Sequence, residues 1–181
     1  MPTKTVTTYP TRKQLEVLRP DLSVSVPVTM KDGFACSQGE PLGKITSGGL
    51  HRRRTRAAVT GTAFATNSPT GTVDDATLFV VGDVLKTAAG ATVGTIQSIA
   101  GNTITLTGNA ANAAATGVNV FGSDGSQVAV CIADNDSDGV GDTPIAGLIG
   151  GYLDEAKLLR MDATAKAELG AVSVAGGVCK L

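Results

Sequence analysis

From residue 22 the chain alternates: Leu22, Val24, Val26, Val28 and Met30 fall on one side of LSVSVPVTM, and Ser23, Ser25, Pro27 and Thr29 on the other. A period of two is that of a half-buried strand. Pro27, which has no N–H to give a ladder, places it at a sheet edge or a bulge. Lys31, Asp32 and Gly33 supply the turn that follows. Short apolar runs bounded by glycine then recur. A strand is predicted over 42–45, turning at Gly48 and Gly49; others lie in VVGDVLKT, ATVGTIQSIA and NTITLTG, the last two joined as a tight hairpin at Gly101 and Asn102. SQVAVCIA and PIAGLIGGYL read as partner strands on either side of an Asp-rich stretch, and AVSVAGGVCKL as one closing strand. Helix signals are few. DDATLF allows one turn, and ATAKAEL one short helix with Asp162 as its N-cap and Gly170 past its end. The fold class is therefore mainly β, or α+β with a minor helical share.

Composition divides the chain. Residues 1–20 are polar, Thr-rich and interrupted by prolines, which reads as an extended arm with at most a helical turn around 12–18. Over 59–121 Ala, Thr, Gly, Val and Asn dominate and Lys86 is the only basic residue, so a small β-barrel-like module is predicted there, inserted into a core of 21–58 and 122–181. Trp is absent and 23 of 181 residues are Gly, against roughly 7% in an average chain, so turns and short strands outweigh large packed helices. The net charge of −1 argues against a general nucleic-acid binder. No apolar run nears the roughly 20 residues that cross a bilayer, and MPTKTVTTYP has no h-region; a soluble protein made inside the cell is expected, with no membrane partner. Cys36, Cys131 and Cys179 are dispersed and odd in number, as free thiols buried as small hydrophobes would be.

Candidate chemistry is sparse. His51 is the only histidine and sits beside three arginines, which disfavours its protonation and leaves no second imidazole to share a metal; an exposed, idle histidine is expected. GEPLGKIT fails as a phosphate loop, because three residues separate Gly39 from Gly43 and Ile45 stands where a Ser or Thr would bind magnesium. No nucleophile elbow, zinc-binding helix motif or dinucleotide fingerprint occurs, so no enzyme activity and no cofactor are expected. HRRRTR has two readings. Arg52, Arg53, Arg54 and Arg56 could meet an acidic partner surface or a phosphate backbone, since guanidinium forks bind carboxylate and phosphate bidentately, or they could form a solvated strand end balanced by acidic neighbours.

DNDSDGVGD, residues 134–142, also has two. Asp134, Asp136 and Asp138 match positions 1, 3 and 5 of an EF-type calcium loop, Gly139 matches position 6 and Asp142 position 9; position 12 is Ile145, not the bidentate Glu such loops need. The alternative is a polar loop between two strands in which Asp and Gly serve turn chemistry. A metal-free hairpin loop is expected, with Asp134, Asp136, Asp138 and Asp142 as the ligands should calcium bind.

In order, PLGKITSGG (41–49), GSDGSQVAVCIADND (122–136) and DTPIAGLIGGYLDEAKL (142–158) resemble the lambda-type head decoration proteins of tailed phages. The likeness runs over 21–58 and 122–181 and breaks at the 59–121 insert. It implies a β-sandwich or barrel-like core with one short C-terminal helix. It also implies a noncatalytic cement protein on the outer surface of the virion, a homotrimer clamping neighbouring major capsid protein subunits, made in the host cytoplasm. By the same likeness the arm pairs with a capsid strand. The Thr/Val-rich run of Thr3, Thr5, Val6, Thr7, Thr8 and Tyr9 independently suits β-augmentation. The rival readings are another virion part, such as a tail or baseplate module, and a calcium-dependent extracellular binding module.

Overall fold

The computed structural model describes residues 23–170, 172–174 and 178–180. In chain order the strands are β1 (Val24–Met30), β2 (Pro41–Lys44), β3 (His51–Arg53), β4 (Arg56–Ala58), β5 (Thr70–Thr72), β6 (Val84–Thr87), β7 (Thr92–Ala100), β8 (Thr103–Leu106), β9 (Asn119–Phe121), β10 (Ala129–Ala133), β11 (Thr143–Gly150), β12 (Tyr152–Asp154), β13 (Val172–Val174) and β14 (Val178–Lys180). One α-helix, α1 (Ala163–Glu168), follows β12. The mainly β class, the barrel-like core and the short C-terminal helix are all present.

The core is a closed five-stranded barrel in the order β1-β11-β10-β2-β3. Val28, Met30, Cys36, Leu42, Cys131, Ala133 and Ile145 fill it. β1 runs antiparallel to β11 along its whole length, from Val24 opposite Gly150 to Met30 opposite Thr143. Its other side meets β3 at one pair, Met30 with His51. Pro27 therefore sits where a missing N–H costs little. The alternating face holds at Val28 and Met30 but fails at Val24, which is 51% exposed: a bulge between Val24 and Ser25 shifts the register there.

A second apolar cluster covers the outside of the barrel. Ile132 of β10 and Leu148 of β11 face each other across the ladder and pack with Leu153 and Leu158. α1 begins as its N-cap dictates, with the Asp162 carboxylate accepting from the N–H of Ala165. The closing segment is not one strand: β13 and β14 pair antiparallel, and β14 also pairs with β12. Cys36 and Cys131 are buried free thiols. Burial and the nearby Glu40 charge push the Cys36 thiol up to about 11, and burial beside Cys36 pushes Cys131 to about 12, so both are inert.

The insert is a six-stranded sheet, β4-β9-β6-β7-β8-β5. Its two edges meet through the Val59–Val73 pair and the bond from Thr60 N–H to the Thr72 carbonyl, which curls the sheet onto itself. Its own core includes Val59, Phe64, Val73, Leu78, Leu85, Ile96, Ile104 and Val120. The sheet begins three residues before the expected boundary, at Arg56, because β4 pairs with β9 from Arg56 opposite Phe121. The β7–β8 hairpin turns at Gly101 and Asn102 as its sequence requires.

Candidate functional site

The two segments that open the decoration-like pattern dock against each other. β2 carries Gly43, and a Cβ there would lie 1.9 Å from the Ser126 carbonyl oxygen. Only hydrogen on that α-carbon permits the approach. Around it, the Thr46 N–H donates to the Asp124 carbonyl at 2.7 Å, and the Thr55 and Ser126 hydroxyls share a 2.9 Å hydrogen bond. The Asp124 carboxylate caps this turn by accepting from the Ser126 N–H at 3.0 Å, and it reaches Arg52 at 3.1 Å.

HRRRTR runs through β3 into β4 at this junction. Strand geometry alternates its side chains. Arg52 is only 2% exposed: Nη2 donates to the Leu78 carbonyl at 2.6 Å and to Asp83 at 2.9 Å, and Phe34 stacks its ring 4.1 Å from the guanidinium carbon. Arg53, on the other side, donates to the Thr77 carbonyl at 2.5 Å and faces Glu40 at 3.8 Å. Arg54 is buried and spans two carboxylates, Asp162 at 3.1 Å and Glu168 at 2.8 Å. Glu168 also accepts from the Ala129 N–H of β10, so one residue ties α1, β10 and the arginine run together. Arg56 lies 3.5 Å from Asp162 and stacks on Phe121. Arg160 pairs with Glu40 and with Asp75.

Five arginines thus meet six carboxylates, Glu40, Asp75, Asp83, Asp124, Asp162 and Glu168. The balance is not positive. The expectation that the run offers its forks to an acidic partner is corrected for Arg52 and Arg54, which lie inside the molecule on intramolecular partners. The solvated alternative is corrected for the same two residues, since the balancing acids are present but Arg52 and Arg54 are buried, while Arg53 and Arg56 are half-buried. Burial opposes ionisation of Asp124 and Asp162, but hydrogen bonds and the arginines outweigh it and hold both carboxyls below the usual range. A cavity of about 350 Å³ opens beside the run, lined by Arg53, Arg56, Asp74, Asn119 and Arg160 among others.

His51 is not exposed. It is 8% accessible at the one pair that closes the barrel. Burial depresses its pKa below 6.5, Lys44 across the β2–β3 ladder adds to that, and a hydrogen bond to the Thr29 backbone opposes it. The folded site therefore takes up a proton less readily than the unfolded chain does. Stability from the neutral imidazole is full above the usual histidine pKa and falls as pH drops through it. Unfolding stability measured by melting should therefore fall as pH drops below the usual histidine value, and His51→Phe should flatten that part of the profile. An unchanged profile in the variant would mean that His51 does not titrate in the transition.

The Asp loop is held as backbone chemistry. Asp136 accepts from the Gln38 N–H at 2.7 Å, Asp138 from the Val140 N–H at 3.0 Å, and Asp142 from the Asp32 N–H at 2.9 Å. The Asp134 carbonyl accepts from the Gln38 side chain. Gly139 has a φ of 74°, and a Cβ would lie 2.6 Å from the Ala35 nitrogen; the glycine that mimics a calcium-loop position is required by packing on residues 34 and 35. Among the described residues no three His, Cys, Asp or Glu side chains are grouped to hold a metal ion.

Thr3, Thr5, Val6, Thr7, Thr8 and Tyr9 lie outside the described residues. Sequence reasoning missed Asp83, Asp124, Asp162 and Glu168 as partners of the arginines. Their signal was faint: isolated acids in otherwise small or apolar surroundings, such as VVGDVL and GSDG. No family model, no curated protein and no solved structure matches this chain.

Proposed function

We propose that the chain is a noncatalytic capsid decoration protein, a homotrimer on the outer surface of a phage head that holds neighbouring major capsid protein subunits together. The reading is carried by the way the segments of the resemblance meet. PLGKIT, GSDGSQVAVCIA and DTPIAGLIG supply β2, β10 and β11, three consecutive strands of one barrel. The glycine of the first segment makes room for the serine of the second. The ordered pattern thus follows one packing unit, as a family signature would. Val24, Val130 and Ile149 remain 41–51% exposed on barrel strands, apolar surface for a capsid or sister subunit to cover. In this reading residues 1–20 add a strand to the capsid protein, and the insert projects outward or toward a neighbour.

Sedimentation with expanded, undecorated heads of the cognate major capsid protein tests the arm. Full-length protein should pellet with the heads, and protein lacking residues 1–20 should lose at least about tenfold in affinity, because strand addition supplies main-chain hydrogen bonds. Equal binding by the shortened chain would show that the arm is not the capsid contact.

A further inference from the structure

Among the described residues, no apolar cluster crosses between the barrel and the insert. The insert core draws only on residues 57–120, and the two barrel clusters only on residues before 46 and after 130. Hydrogen bonds and ion pairs bridge the two bodies: Arg52 to Asp83 and the Leu78 carbonyl, Arg53 to Thr77, Arg160 to Asp75, and, beside the first chain crossing, Arg56 to Asp162. Beside them lies the open cavity, lined from both bodies. The chain crosses the junction twice, near Thr55 and near Gly122, and a Cβ on Gly122 would lie 2.5 Å from the Thr55 hydroxyl oxygen. Arg160, which ties Glu40 of the barrel side to Asp75 of the insert, is the only non-glycine among the described residues with positive φ, at 54°. A residue with a Cβ occupies that region at a cost, and its two ion pairs fix it there.

We infer that this junction is an ionic latch on a two-strand hinge: charge holds the insert in one orientation over the barrel, and removing the insert's share of it frees the insert to swing while both cores stay folded. The reason is the division of labour at the junction. Interfaces without a shared apolar core leave relative motion as the default, and each body here has a core of its own. Directional ties from the buried Arg52 and half-buried Arg53 guanidinium forks, with the exposed Arg160 beside them, then decide orientation, since each fork favours one planar geometry. A decoration role is not needed for the latch.

The test uses the full chain with Asp75→Asn and Asp83→Asn together. Each asparagine keeps a side-chain oxygen for the local bonds that these carboxylates make to Thr77 N–H and Val80 N–H, so the loops retain their caps. Backbone nitrogen relaxation should report one rotational correlation time for the wild type and two, one per body, for the variant, with dispersed resonances in both cores. Proteolysis near residues 122–125 should accelerate by about tenfold or more as the crossing opens. A folded variant that tumbles as one body, with unchanged cleavage, overturns the latch. Should that variant fail to fold, Arg53→Gln with Arg160→Gln cuts only the two more exposed ties, and the same two readouts decide.

Discussion

Arg52→Ala is expected to lower unfolding stability by about 3–5 kcal/mol, the scale of breaking a buried ion pair from one side. Arg52 is among the largest fully buried side chains, and four acceptors depend on it: both oxygens of Asp83, one of Asp124 and the Leu78 carbonyl. Truncation strands the carbonyl in the interior and leaves a void beneath Phe34, whose ring now stacks on the guanidinium. The carboxylates suffer less, because Asp83 and Asp124 are 15% and 28% exposed and can turn toward water. Arg52→Met should recover part of the loss by refilling the volume, as apolar replacements of buried charges often do. Arg53→Ala, at a side chain 21% exposed, should cost about 1 kcal/mol. Denaturant melting of the three variants checks the order, and a loss under about 1 kcal/mol for Arg52→Ala would show that the buried fork is not the anchor.

Phe64→Ala should cost a similar amount, about 3–5 kcal/mol, and confine it to the insert. Phe64 is fully buried, and its ring carbons lie 2.7 Å from where a Cβ on Gly71 would be. The packing is closed from that side. Ala57, Ala76, Ala110 and Ala114 belong to the same core and have no side chain with which to fill the space left by a ring. An Ala- and Gly-rich module concentrates its apolar burial in few residues, so losing one is felt in full. Amide exchange should show the 57–120 core opening first in the variant, with protection at Ile132 and Leu148 of the barrel retained. Equal loss of protection in both bodies would mean that the two cores unfold as one unit.

Much of this fold was legible because its signals are local. The hairpin between β7 and β8 is written in Gly101 and Asn102, and the start of α1 in Asp162, three residues before the N–H it accepts from. What was hidden depends on partners far along the chain. Arg52 finds Asp83 31 residues away and Asp124 72 away, and Arg54 finds Glu168 114 residues on. A basic run read alone looks like surface; only folding brings the acids to it. His51 was misread for the same reason, since its burial follows from barrel closure with Met30. The two readings of the Asp loop likewise differ in what its carboxylates meet once folded. Its spacing imitates a ligand set, yet three of its carboxylates accept from backbone N–H groups of their own loop or of residues 32–38.

The decoration reading rests on three strands that pack as one unit. A reconstruction of expanded heads mixed with the purified full-length chain tests it most directly. The account predicts trimers on the outer surface at three-fold and quasi-three-fold positions, with the barrel against the capsid protein, and heads without added protein bare at those positions. Heads that stay bare at saturating protein, or protein bound only at the tail, would contradict it.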